Sequence, residues 1–119
     1  MVSDPISTAS ALLRAKNAID ITIYVNTINS MRIEFDPSKD AVNKAKHGLS
    51  LALAADLEWD SAMVWTDDRK EYGETRQSAL ALIGQRLYFV AYVDRGQTRR
   101  AISLRKANIR EVTHYAEND

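Results

Sequence analysis

The sequence contains no cysteine in its 119 residues. That excludes thiol catalysis, disulfide staples and cysteine-based zinc sites, and it fits a reducing compartment, so a cytoplasmic location is expected. Histidine is scarce as well. His47 and His114 are the two in the chain, far apart and outside any ligand motif, so neither a metal nor another cofactor is expected. Proline occurs twice and glycine four times, and there is no low-complexity tract. No apolar run approaches the roughly 18 residues that span a bilayer. Residues 1–30 also lack the basic start and dense apolar core of a signal peptide. No membrane partner is therefore expected.

Net charge is absent too, since 16 Lys plus Arg balance 16 Asp plus Glu. The zero is a cancellation between segments. Residues 34–74 carry ten acids and five bases, whereas residues 75–110 carry eight bases against one acid, Asp94. A basic stretch of this kind is a phosphate-binding surface or a solvated sheet face whose counter-charges lie elsewhere. What is present otherwise is ordinary for one globular domain: 45% apolar and 27% charged residues, enough to build one core.

Residues 1–30 are rich in Ser, Thr, Ala and Asn and read as an N-terminal arm or extension, with the domain proper over 31–119. Within the arm, residues 9–18 suit a short helix and residues 19–25 a strand. From Met31 the signals sharpen. Residues 32–35 read as a strand. Asp36-Pro37 starts a helix, because Asp accepts free amide hydrogens and proline suits the first helical position. Lys39, Asn43 and Lys46 then fall on one helix face, and Gly48 closes the helix after His47. Ser50 caps a second expected helix, residues 51–58, with Leu53 and Leu57 as its stripe. Strands follow at 62–66, 76–83, 87–93 and 98–104. A terminal helix over 108–117 is expected to turn Ile109 and Val112 inward. The expected fold is α+β: an antiparallel sheet of three to four strands, two N-terminal helices and one C-terminal helix.

Several residues can carry chemistry. Lys46 and His47 end a helix, where the negative end of the helix dipole suits cations; they are phosphate donors or ordinary cap residues. Glu74 and Arg76 share one side of an extended chain and pair an acceptor with a planar donor, as a salt bridge would too. Arg99, Arg100, Arg105 and Lys106 surround the last strand, with Arg100, Ile102 and Leu104 expected on one face and Arg99, Ala101 and Ser103 on the other. Arginine binds phosphate through two parallel hydrogen bonds. Such a cluster holds an RNA phosphodiester, or keeps an exposed strand soluble. Glu111 and Tyr115 are spaced to meet on the terminal helix.

The ordered set Asp36-Pro37, Lys39, Asn43, Lys46-His47-Gly48, Glu74, Arg76, Arg100, Ile102-Ser103, Arg105, Ala107, Glu111 and Tyr115 resembles the BrnT family, ribonuclease toxins of bacterial type II toxin–antitoxin systems. The resemblance spans residues 31–117. It implies a RelE-like fold and a metal-independent endoribonuclease that inhibits translation. It also implies neutralisation by a BrnA-type antitoxin, through which alone the complex binds operator DNA. Carried over residue by residue, it marks His47, Arg76, Arg100 and Arg105 as catalytic, with Glu74 added. Lys46, Arg99 and Lys106 are expected to hold the RNA phosphates. Leu104 stands where the family usually has a small residue, and Ala52 and Leu53 replace acids at the start of the second helix. The alternative reading is a non-enzymatic module that binds nucleic acid or an antitoxin.

Overall fold

The computed structural model describes residues 23–28, 31–68 and 73–118. The helix expected over 9–18, the start of the strand expected over 19–25 and the middle of the loop before Gly73 lie outside the described residues. Six strands form one sheet: β1 (Ile23–Ile28), β2 (Met31–Phe35), β3 (Met63–Asp67), β4 (Arg76–Ile83), β5 (Arg86–Arg95) and β6 (Thr98–Lys106). Their spatial order is β1-β2-β6-β5-β4-β3. Helix α1 (Pro37–His47) follows β2, and helix α2 (Ile109–Glu117) closes the described chain.

The sheet is larger than expected and it is mixed. β3 to β6 form the antiparallel meander, but β2 lies parallel to β6, and β1 extends the sheet beyond β2. A parallel neighbour needs a long crossover. Here the crossover contains α1 and three further strands, so no local pattern in the sequence reveals it.

The second expected helix is a 3₁₀ segment, Leu51–Asp56. Ser50 caps it, and i→i+3 bonds run from Leu53 to Ser50 and from Leu57 to Ala54. Three residues per turn place Leu51, Ala54 and Leu57 on one side, and all three are buried. The expected Leu53–Leu57 stripe assumed a turn of 3.6 residues. Asp40 of α1 fixes the segment by accepting from the Leu51 amide at 2.7 Å and the Ser50 hydroxyl at 3.0 Å.

One sheet face carries the core. Ile33 and Phe35 of β2, Ala79 and Ala81 of β4, Val90 and Tyr92 of β5, and Ala101 and Leu104 of β6 pack there against the 3₁₀ segment. The pairing of Ala101 and Leu104 overturns the expected face assignment in β6. Ser103 opposes Ala91 and Ala101 opposes Tyr92, which leaves Ile102 as an inserted residue. A bulge of this kind shifts the alternation by one. Arg99, Ala101, Leu104 and Lys106 therefore share the core face. Arg100, Ser103 and Arg105 share the other, here called the outer face.

Helix α1 is tied to this sheet by one side chain. β2 covers β6 only from Thr98 to Arg100, because Asp36-Pro37 turns the chain into the helix. Beyond Arg100 that edge of β6 has lost its strand neighbour. Buried Asn43 stands in for it: its amide donates to the Leu104 carbonyl at 2.8 Å, and its oxygen accepts from the Leu104 amide at 2.9 Å. The same amide donates to the Leu49 carbonyl at 2.9 Å, just past Gly48. Gly48 has φ +72°, a left-handed conformation that glycine adopts without strain.

Asn43→Ala strands both backbone groups of Leu104 in the interior. At about 1–3 kcal/mol for each unsatisfied buried group, we expect a loss of roughly 2–5 kcal/mol in urea unfolding. Asn43→Asp, which retains the acceptor but presents a carboxylate to the Leu104 carbonyl, should rescue little of it. A wild-type midpoint in Asn43→Ala would show that the pair carries no weight.

Candidate nucleic-acid interface

The outer face is organised in rows. Asp67 opposes Arg76, Val93 opposes Arg100, and Arg100 lies beside Glu34. The Gln77–Tyr92 pair sets Arg76 next to Val93. Asp67, Arg76, Val93, Arg100 and Glu34 thus cross five strands in one line. Arg76 and Arg100 stand two strand spacings apart, about 10 Å. The next row holds Trp65, Ser78, Ala91 and Ser103. The one after it contains Phe89 and Arg105.

Most of the arginines in the basic stretch spend their hydrogen bonds within the fold. Arg100 donates to Glu34 at 3.0 Å, with both side chains largely buried. Arg105 makes two bonds of 2.9 Å to Glu111 and lies 4.3 Å from the Phe89 ring centroid. Arg95 makes two bonds to Glu74. Arg99 makes two to Asp94, and its guanidinium lies 4.4 Å from the Trp59 ring and 4.5 Å from the Tyr92 ring. Burial opposes its charge, but the Asp94 bonds prevail and raise its pKa above the ordinary value. Arg99 and Lys106 both sit on the core face, opposite Arg76, Arg100 and Arg105.

The carboxylates respond to these partners. The Arg95 hydrogen bonds hold Glu74 below the ordinary carboxylate value, so it stays ionised near neutral pH. Glu111 is also held low, first by Arg105 and then by the Asn108 amide, against partial burial. Glu111 and Asn108 form a capping box at the start of α2, in which each side chain accepts from the other's backbone amide. Glu111 and Tyr115 do not meet as their spacing suggested. The Tyr115 hydroxyl instead donates to the Ser61 carbonyl at 3.0 Å. The expected inward stripe of α2 also turns outward, with Ile109 82% and Val112 42% exposed. The contacts of Glu111 and Tyr115, rather than an apolar stripe, set how the helix sits.

Helix α1 presents the opposite case. Lys46 and His47 are exposed, and their side chains make no hydrogen bond or ion pair among the described residues. They line an open cleft of about 340 Å³ between α1 and β6, together with Lys39, Ser38, Ile102 and Ser103. Asn43 forms part of its wall, so the bond that docks the helix also aligns Lys39 and Lys46 along the uncovered edge of β6. Ser103 belongs to this cleft and to the outer face, and it joins the lysine-lined side to the arginine rows. Glu74 lies apart, in the loop before β4. Sequence reasoning put Lys39 on the right helix face without counting it among the phosphate binders. The i, i+7 spacing to Lys46 was the available signal; Ser103 was hidden by the bulge.

Among the described residues, no group of three or more His, Asp or Glu side chains is placed to hold a metal ion. No described helix is long and apolar enough to cross a membrane. The family model described as ribonuclease toxin, BrnT, of type II toxin–antitoxin system matches residues 35–111. The chain belongs to the BrnT family. No curated protein matches it significantly. The matched span begins at the end of β2 and runs through α1, the meander and the start of α2. It thus contains the α1–β6 cleft, the arginine rows and the Glu111 clamp. BrnT proteins are ribonuclease toxins, and their systems pair a toxin with an antitoxin.

The pairing of Arg100 with Glu34 makes a stability prediction. Arg100→Ala leaves a buried carboxylate without this partner, a change that costs about 3–5 kcal/mol in comparable sites. Chemical denaturation should show that loss, and a Glu34→Gln/Arg100→Met double variant should recover part of it. Additive losses would refute the coupling. The Glu111 clamp makes a second prediction. Its pKa is lower folded than unfolded, so its contribution is complete above the ordinary value of 4.5. The contribution disappears as pH falls below that value through the folded pKa. Amide exchange in α2 should accelerate across that acid window, and Glu111→Gln should be fast at both ends of it.

Proposed function

We propose that this chain is a metal-independent endoribonuclease that cleaves RNA in the α1–β6 cleft and thereby inhibits translation. The observation that carries the proposal is the group of Lys39, Lys46 and His47, two lysines and an imidazole that line one cleft, their side chains without the ion pairs that engage the neighbouring arginines. Cleavage without a metal uses the 2′-hydroxyl as nucleophile. It needs a base for that proton, positive charge at the phosphate and an acid for the leaving 5′-oxygen.

In this reading a ring nitrogen of His47 accepts the 2′-hydroxyl proton. The 2′-oxygen attacks phosphorus, and the 5′-oxygen leaves with a proton from Lys46 or water. Lys39 and Lys46 hold the phosphate at the cleft. Arg76, Arg100 and Arg105 border the path of the strand on the adjoining face, with Arg100 held in place by Glu34 and Arg105 by Glu111. Glu74, ionised and bound to Arg95, acts as a carboxylate near the end of the arginine row. Arg99 and Lys106 lie on the opposite face and are not assigned to the RNA.

The reading extends to partners and place. A BrnA-type antitoxin that covers the α1–β6 cleft blocks the RNA path directly, and operator DNA is bound through the antitoxin alone. A toxin of translated RNA works in the cytoplasm, which the absence of cysteine suits.

The decisive variants are those whose side chains the fold does not use. His47→Ala should lower the cleavage rate of a defined single-stranded RNA by roughly 10²–10⁴-fold with an unchanged melting temperature. Lys46→Ala and Lys39→Ala should weaken RNA binding and flatten its salt dependence. Full cleavage and full growth inhibition by a folded His47→Ala protein would overturn the assignment. A wild-type chain that binds its antitoxin yet never cleaves RNA would support the non-enzymatic module.

A further inference from the structure

The outer face holds a second cleft, of about 260 Å³, with Trp65, Asp68, Ser78, Phe89 and Arg105 among its lining residues. It differs in kind from the lysine-lined cleft. Two aromatic rings form its walls: Trp65 on β3 and Phe89 on β5, with centroids 6.1 Å apart and planes inclined at 50°. The Arg105 guanidinium lies over Phe89 and is clamped by Glu111, so a third flat surface is held in place. Trp65 remains 39% exposed on the edge strand of the sheet. Flat rings and a guanidinium plane with polar groups at their edges suit an unpaired nucleobase, which stacks on such surfaces and bonds through its rim.

The polar groups narrow the choice of base. Of the other polar lining residues, Glu111 is engaged by Arg105, Thr66 bonds Gln77 and Asp67 is engaged within the fold. Asp68 presents a carboxylate, an acceptor without a donor of its own, and the Ser78 hydroxyl can accept or donate beside it. Guanine is the base whose Watson–Crick edge offers two neighbouring donors, N1–H and N2–H, to one carboxylate. Position suits a nucleotide of an RNA strand as well. Trp65 and Ser78 lie one row from Asp67 and Arg76, about 7 Å along the strands. A base held here keeps its nucleotide's phosphate beside the arginine row.

We propose that this cleft is a guanine-binding subsite that sets where the strand is cut. The proposal rests on the ribonuclease reading above for its role in cleavage, but not for binding itself. Trp65 and Asp68 specify the base, and neither belongs to the proposed catalytic group.

Two measurements test it. Guanosine 3′-monophosphate should quench the Trp65 fluorescence of the full chain at concentrations at least tenfold below those needed for the adenosine, cytidine and uridine analogues. Trp65→Phe, which leaves Trp59 as the sole indole, should lose the response. In parallel, cut sites mapped on a defined RNA should cluster at one fixed register from guanines. Trp65→Ala and Asp68→Asn should reduce that preference about tenfold while total cleavage persists. Cleavage with no base preference, or a preference untouched by both variants, overturns the subsite and leaves the ribonuclease reading intact. Selective guanosine binding in a chain that cleaves no RNA upholds the subsite and overturns the ribonuclease reading. Equal binding of all four nucleotides, with Trp65→Ala weakening antitoxin capture instead, assigns the cleft to a protein partner and overturns the proposal.

Discussion

The side chain of Asn43 completes a sheet that the backbone leaves unfinished. Proline at position 37 ends β2 after it has covered only the first part of β6. The remaining edge needs a donor and an acceptor at strand spacing, and a carboxamide supplies both. Because the contact is buried and bidentate, it fixes the rotation of α1 as well as its position. The helix stripe containing Lys39 and Lys46 is consequently laid along β6, and Asp40, one turn from Asn43, reaches Ser50 and Leu51 to anchor the 3₁₀ segment. The cleft, the cover of the core and the placement of the free cations all depend on this one docked helix.

The parts of this arrangement that depend on local chemistry were legible in the sequence. Asp36-Pro37 and Gly48 bracket α1, the alternating apolar runs mark the meander, and Asn108 with Glu111 marks the start of α2. The failures have common physical causes. A bulge at Ile102 is invisible to a period of two, and it exchanged the faces of Ser103 and Leu104. A short alanine-rich segment held by side chains from another helix adopts three residues per turn instead of 3.6. The outward Ile109 and Val112 show that a stripe of two apolar residues does not decide the orientation of a helix fastened by an ion pair and a tyrosine. The parallel β2–β6 pair is a long-range choice that no window of sequence contains.

Charge counted along the chain pointed to the arginines of the second half, and the structure redistributes that signal. Glu34, Glu74, Asp94 and Glu111 each engage an arginine, and all but Asp94 come from outside the basic stretch. Those guanidiniums are part of what holds the sheet, its turns and its terminal helix together. Leu104, which departs from the family's small residue, is fully buried in the core and leaves its backbone to Asn43. The lysines that line the α1–β6 cleft belong to α1, inside a segment whose total charge is negative. Net charge, whole or by segment, is thus a poor guide to where a polyanion would settle here.

The Asn43–Leu104 contact joins residues 61 positions apart, and the parallel strand pair spans a similar distance. Contacts of such separation carry a high loop-closure cost. During synthesis, α1 emerges long before the strand it must grip. Until Leu104 has cleared the exit tunnel, the helix has no edge to dock on and the lysines have no cleft to line. The α1–β6 cleft is therefore incomplete until β6 has emerged, and the helix that forms one of its walls waits, unpartnered, through the synthesis of three intervening strands.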